Sequence, residues 1–181
     1  MSESFISIVP DAIDKTQAKE LANKVVSRLV QQGIIKKELT DCVLGKNGYA
    51  PGDNYKEVIL GDDNGFKNLL TNGFEVRTTR QVFHNGNNGL DEIRCPNCNE
   101  DVIDANWQQA LEEWINETDQ DKIICQNCNI ENSITKYIFC PTWGFGNLGF
   151  IFWNWPDLKS SFINDIEQVL GLPVKVIYGR F

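Results

Sequence analysis

The chain has 181 residues, enough to bury a full core as one domain or as one domain with an insertion. Hydrophobic residues make up 41% and charged residues 23%, the ordinary balance of a soluble globular protein rather than a disordered one. Asp and Glu number 25 against 17 Lys and Arg, a formal charge of −8 that opposes non-specific attraction to nucleic acid phosphates.

The first residues, Met1-Ser2-Glu3-Ser4, carry no basic n-region and lead into no long apolar stretch, so no signal peptide is expected. No segment approaches the ~18 uninterrupted apolar residues of a membrane helix. The expected compartment is the cytosol, where reducing conditions favour metal binding over disulfides for the six cysteines.

Phe5-Ile6-Ser7-Ile8-Val9 predicts a first strand, ended by Pro10. Asp14, with Gln17 three residues on, predicts a helix N-cap box. Ala18, Leu21, Ala22, Val25, Leu29 and Val30 repeat at helical spacing, and Gly33 supplies the stop. Residues 39–44 read as a second strand, and residues 45–73 as loop, punctuated by Gly48, Pro51-Gly52 and Asn72-Gly73. Residues 74–83 alternate apolar and polar positions and read as one strand. A polar turn over 84–89 then leads to the cysteines. Between them, Trp107, Ala110, Leu111, Trp114 and Ile115 mark one face of a short helix, with Asn106 and Gln109 placed to cap it. Residues 133–139 read as a strand.

Residues 149–155 predict an aromatic strand. Leu158, Phe162, Ile166, Val169 and Leu170 give a helical stripe, stopped by Gly171 and Pro173, and residues 174–178 predict a last strand. Pro10-Asp11 before the first helix echoes Pro156-Asp157 before the last. Two strand–helix–strand halves predict an α+β fold of the ferredoxin-like, split β-α-β kind: an antiparallel sheet with two main helices. Residues 91–132 would form an inserted, zinc-ribbon-like subdomain within the single domain 1–181.

The cysteine spacing is the strongest chemical signal. Cys95-Pro96-Asn97-Cys98 and Cys125-Gln126-Asn127-Cys128 form two Cys-x-x-Cys pairs separated by 26 residues. Two residues between ligands let both sulfurs of a turn face one ion while turn amides donate to the thiolates. Asn97-Cys98-Asn99 and Asn127-Cys128-Asn129 suit such turns, because Asn tolerates the left-handed conformation. Residues 93–129 therefore resemble zinc ribbons in general. The resemblance implies one structural Zn2+ held by Cys95, Cys98, Cys125 and Cys128, with no open position for catalysis. Four thiolates around one divalent ion add −2, for a folded charge of about −10.

Other candidates are weaker. Cys42 and Cys140 read as buried small apolar residues, and His84 as an exposed loop residue. Gly144-Phe145-Gly146-Asn147-Leu148-Gly149 has the letters of a dinucleotide loop, but a strand rather than a helix is predicted to follow, which excludes that mechanism. Two apolar faces over 150–155 indicate a central strand covered on both sides or, alternatively, a contact surface. The acidic pairs Asp62-Asp63, Asp91-Glu92, Glu100-Asp101 and Glu112-Glu113, with Asp119 and Asp121, read as solvation.

No catalytic constellation is legible. Small size, negative charge and a metal staple favour a non-enzymatic cytosolic protein that engages a protein partner. A concrete version is an immunity or antagonist protein neutralising a basic toxin. The alternatives are a zinc-ribbon nucleic-acid-binding regulator with a basic face from Lys24, Arg28, Lys36 and Lys37, and an enzyme with a loop-built site around 45–65 and His84.

Overall fold

Residues 2–181 are described by a computed structural model of the chain. The fold is a mixed α+β arrangement with a large antiparallel sheet and three helices. Strand β1 (Ser4–Pro10) leads into α1 (Lys15–Gln31). Asp14 caps that helix by accepting from the Thr16 N–H at 3.0 Å, which satisfies one of its free amides. Gly33 follows with φ +70°, the left-handed stop that glycine allows. Ala18, Ala22, Val25 and Leu29 are buried along one stripe, as the spacing predicts.

The return strand β2 (Ile35–Val43) starts earlier than expected and pairs with β3 (Lys46–Pro51), a strand hidden in the predicted loop. Gly48 and Pro51 disguised it, because both are breakers in isolation. The expected single strand over 74–83 is two strands, β4 (Phe74–Arg77) and β5 (Gln81–Phe83), which belong to different sheets. Then come β6 (Glu92–Arg94), α2 (Trp107–Ile115), β7 (Lys122–Ile124) and β8 (Glu131–Ser133). The expected strand over 133–139 is instead a 3-10 turn (Ile134–Lys136) and β9 (Ile138–Cys140). Strands β10 (Gly144–Gly146) and β11 (Gly149–Trp153), helix α3 (Ser160–Leu170) and β12 (Val174–Arg180) complete the chain.

The main sheet runs β12-β1-β11-β4-β3-β2. The expected antiparallel sheet is present with six strands, β3 and β4 lying between β11 and β2. β1 sits antiparallel between β11 and β12. Under α1 and α3, one face buries Ile8, Phe74, Phe150 and Phe152. The other face buries Phe5, Val9, Ile151, Trp153 and Ile177. All five residues of β11 are buried, so the aromatic strand is interior, with alternate residues going to opposite cores.

A third cluster belongs to the cysteine segment: Ile93, Val102, Ala110, Trp114, Ile123, Ile134, Tyr137 and Phe139, with Phe145. The β5–β10 ribbon joins it to the sheet by period-two alternation. Val82 and its cross-strand partner Phe145 pack on the cysteine cluster. Phe83 packs on the sheet core, and its partner is Gly144. A Cβ on Gly144 would stand 2.9 Å from Ile177 and 3.0 Å from Val9, and one on Gly149 only 2.2 Å from the Phe83 ring. Gly144 and Gly149, the outer glycines of the dinucleotide-loop mimic, are thus spacers that let a ribbon lie close to a sheet. Among the described residues no helix is long and apolar enough to cross a membrane.

Candidate metal centre

The two Cys-x-x-Cys turns have the same construction. In the first, the Cys95 N–H donates to Glu100 O at 2.9 Å and the Asn99 N–H to Cys95 O at 3.0 Å. In the second, the Cys125 N–H donates to Ile130 O at 3.1 Å and the Asn129 N–H to Cys125 O at 2.9 Å. Asn99 and Asn129 hold φ of +63° and +58°, the left-handed conformation that closes each turn. The first turn follows β6, anchored where the Val102 N–H donates to Ile93 O at 2.7 Å; the second links the β7–β8 pair. The Tyr137 hydroxyl donates to Ile123 O at 2.9 Å and ties β7 to the chain beyond it.

These turns bring Cys95, Cys98, Cys125 and Cys128 together, with all four sulfurs within 4.8 Å of one another. The Cys95–Cys128 sulfurs are 3.8 Å apart and the Cys98–Cys125 sulfurs 3.6 Å. All six cysteines are free thiols. The Asn97 N–H points at Cys95 Sγ at 3.5 Å. Such a cluster could hold a metal ion.

Its electrostatics show why a cation suits it. The Asn127 side chain and the Glu100 N–H donate to Cys98 and pull its thiol down to about 6. Burial raises Cys95, but the Asn97 and Cys98 amides outweigh it and lower the thiol. The Ile130 N–H would lower Cys128, yet burial and the other three sulfurs push it up to about 12. Four adjacent sulfurs therefore cannot all ionise by themselves, and a divalent cation at their centre removes the conflict.

The remaining candidates do not join this group. Cys42 is buried in the outer core of the sheet, whereas Cys140, expected to be buried, is exposed at the end of β9. His84 is half-buried rather than a free loop residue. Its Nδ1 accepts from the Gly86 N–H at 3.1 Å, and its ring lies 5.7 Å from Trp143. Lys24 is paired with Glu20 at 2.8 Å on α1, and Lys36 and Lys37 lie on the edge strand β2. The carboxylates read as solvation are partly structural. Asp63 accepts from the Tyr55 hydroxyl, a bond that raises that phenol to about 12. Asp101 accepts from the Ile93 and Ile103 amides, and Asp121 accepts from Ser133 Oγ at 2.6 Å. Asn106 stands at the α2 N-cap but bonds the Gln109 side chain instead of the helix backbone.

Two further features escaped the sequence reading. One is Glu75, a buried carboxylate bonded by Lys46, Arg77 and Trp153. Its signal was an opposite-charge pair, Glu75 and Arg77, at one-face spacing in an apolar strand. The other is the distribution of charge. Residues 91–132 hold eleven acidic residues against Arg94 and Lys122, a net of −9. The other residues hold fourteen acidic and fifteen basic, a net of +1. The acidity of the chain belongs to the cysteine segment.

No family model, no curated protein and no solved structure matches the chain. Fold and site together define an α+β protein with a four-cysteine cluster fit for a metal ion.

Proposed function

We propose that the protein is a zinc-stapled binding protein whose acidic cysteine module engages a protein partner with a basic surface. Zinc fits the sulfurs. A tetrahedral ion with Zn–S bonds of about 2.3 Å has sulfur–sulfur edges of about 3.8 Å, against the observed 3.6 and 3.8 Å. Cys95, Cys98, Cys125 and Cys128 would be its ligands, and four thiolates close the shell, so the role is structural. The supporting fold reading is a ferredoxin-like sheet widened by β3 and β4, with residues 91–132 as an inserted zinc-ribbon-like subdomain. Thiolate ligation implies a reducing compartment, the cytosol.

The observation that carries the binding role is the segregation of charge. A net of −9 on some forty residues is held in the one segment that the proposed zinc would rigidify. A field of that sign accelerates encounter with a cationic partner and repels nucleic acid. An immunity or antagonist protein directed at a basic toxin is the concrete form of this reading. The resemblance to nucleic-acid-binding zinc ribbons loses weight, since the ribbon itself is the acidic part.

The test combines elemental analysis with affinity capture from the native cell. The expectation is one zinc per chain and a basic protein retained at low salt and released at high salt. Asp104, Glu112 and Asp119 are charged side chains without a partner in the described residues. Changing all three to Lys should abolish capture without loss of zinc. Equal capture by that variant, or no protein retained at any salt, would remove the proposal.

A further inference from the structure

A cavity of about 430 Å³ opens where the sheet meets the cysteine module. The sheet side contributes the turn after β1, the turn after β10, and Lys175 of β12; the opposite side is Trp114 of the module with Thr135 and Lys136 of the 3-10 turn that follows it. Arg80, just before β5, completes the wall. Its volume is that of a small-molecule site rather than a packing defect.

The charge of the lining is opposite to that of the module beside it. Arg80, Lys136 and Lys175 face one carboxylate, Asp11. Asp11 lies 3.4 Å from Lys175 and neutralises that cation in part. Arg80 and Lys136 have no carboxylate within 4.0 Å among the described residues. Both lie beside a segment carrying eleven acids, where cations placed for stability alone would be expected to find one.

Arg80 is also held in place. Its Nε donates to Trp114 O at 2.7 Å, and its guanidinium lies over the Trp114 ring, 3.9 Å from the centroid. That fixes the plane of the guanidinium and leaves both terminal nitrogens without an acceptor among the described residues. A stacked, oriented guanidinium with free terminal N–H groups is a receptor for a planar or tetrahedral oxyanion, bound through two parallel hydrogen bonds. The wall opposite includes Ala12, a non-glycine residue at φ +56°. Strain of that kind persists where surrounding structure enforces it, and it clusters at ligand sites. Asn147 holds this turn in place by donating to Ile13 O at 2.9 Å.

We infer that this cavity binds a small molecule bearing a phosphate or carboxylate group. Arg80 grips the oxyanion, Lys136 and Lys175 balance its charge, and Trp114 and Phe145 flank the remainder. The ligand bridges sheet and module, which gives it leverage on their relative stability. The site does not rest on the proposed partner-binding role.

The test uses the full zinc-loaded chain, labelled with 15N. It is titrated with inorganic phosphate and, separately, with succinate, at constant ionic strength maintained with chloride. The expected result is saturable shifting of the Ala12, Thr135 and Gly146 amides and of the Arg80 Nε–H resonance. Saturation by phosphate alone assigns a phosphate ester, by succinate alone a carboxylate, and by both the shared oxyanion. Lys136→Ala and Lys175→Ala should each weaken binding about tenfold, the worth of one charge-assisted hydrogen bond. These variants spare the Arg80–Trp114 stack and so keep the fold readable. Shifts that never saturate, that chloride reproduces, or that neither lysine variant weakens would overturn the inference.

Discussion

The six-stranded sheet and the cysteine module hold themselves together by different means. The sheet buries both faces: Phe74, Phe150 and Phe152 lie fully buried under the helices, and Trp153 and Ile177 lie buried on the far side. The module is built from three-residue strands and a nine-residue helix. Isolated strand pairs of that size are marginal in water, and a helix of two to three turns is no better. Its cluster centres on Ile93, Trp114, Tyr137 and Phe139, with the buried Cys95 and Cys125 among them. It also carries a net charge of −9, whose self-repulsion opposes compaction. One region is stabilised by burial on both faces; the other has a smaller core and, on the proposed zinc reading, leans on a bound cation as well.

Removing the metal should therefore have the largest effect and should act on one region. After chelation, or in Cys125→Ser, amides across 93–134 should exchange rapidly while those of β1, β11 and β12 stay protected. The loss is on the order of 10 kcal/mol of metal-linked folding free energy, confined to the module. Hydrogen exchange read by mass spectrometry on peptides decides it. Simultaneous loss of protection in the sheet would show that the two regions form one cooperative unit, and the contrast would fail.

The next effect runs in reverse. Phe152 is fully buried and stacks edge-on against Trp155 and Phe162. Phe152→Ala should cost the sheet about 3–5 kcal/mol, read as a shift in the denaturant midpoint. The zinc content of the folded protein should not change. A fall in metal stoichiometry would mean that the module borrows its stability from the sheet core.

The same contrast explains what the sequence made legible. The cysteine turns were readable because ligand spacing and left-handed Asn residues are local, and Cys95 to Asn99 carries its whole geometry within five residues. Helices α1 and α3 were readable from apolar stripes. Strand β3 was not, because Gly48 and Pro51 signal a break, and only pairing with β2 and β4 makes the segment extended. The division of residues 74–83 was hidden for a related reason. Alternation continues through Val82, but Thr78 to Arg80 turns the chain from the main sheet to the β10 ribbon, a tertiary event. The aromatic strand showed two apolar faces, and only the sheet order revealed that both are covered. The charge segregation was present in the composition all along; it needed the boundaries of the module to become visible.

Glu75 provides the finest test, because it is the counterpart, in the sheet, of the sulfur cluster. It is buried beside Trp153, which donates to Oε2 at 2.8 Å, while Lys46 Nζ lies 2.6 Å from Oε1. Burial alone would raise its carboxyl. The bonds from Arg77, Lys46 and Trp153 more than reverse that, leaving it below the ordinary 4.5. A folded value below the unfolded one means that the unfolded chain binds the proton more readily. The contribution of Glu75 is then complete above 4.5 and disappears as pH falls through its lower folded value. Glu75→Gln should cost about 2 kcal/mol at neutral pH, the worth of hydrogen bonds to a charge, and should flatten the acid limb of the sheet's stability curve. Hydrogen exchange of β1, β4 and β11 peptides across a denaturant series at stepped pH reads both effects. Equal acid sensitivity in the two proteins would assign that limb to other carboxylates. The sheet answers its buried charge with Lys46 and Arg77, its own cations. The module's two basic residues pair with carboxylates instead, Arg94 with Glu92 and Lys122 with Glu131, so the cation proposed above for the four sulfurs would be their counter-charge.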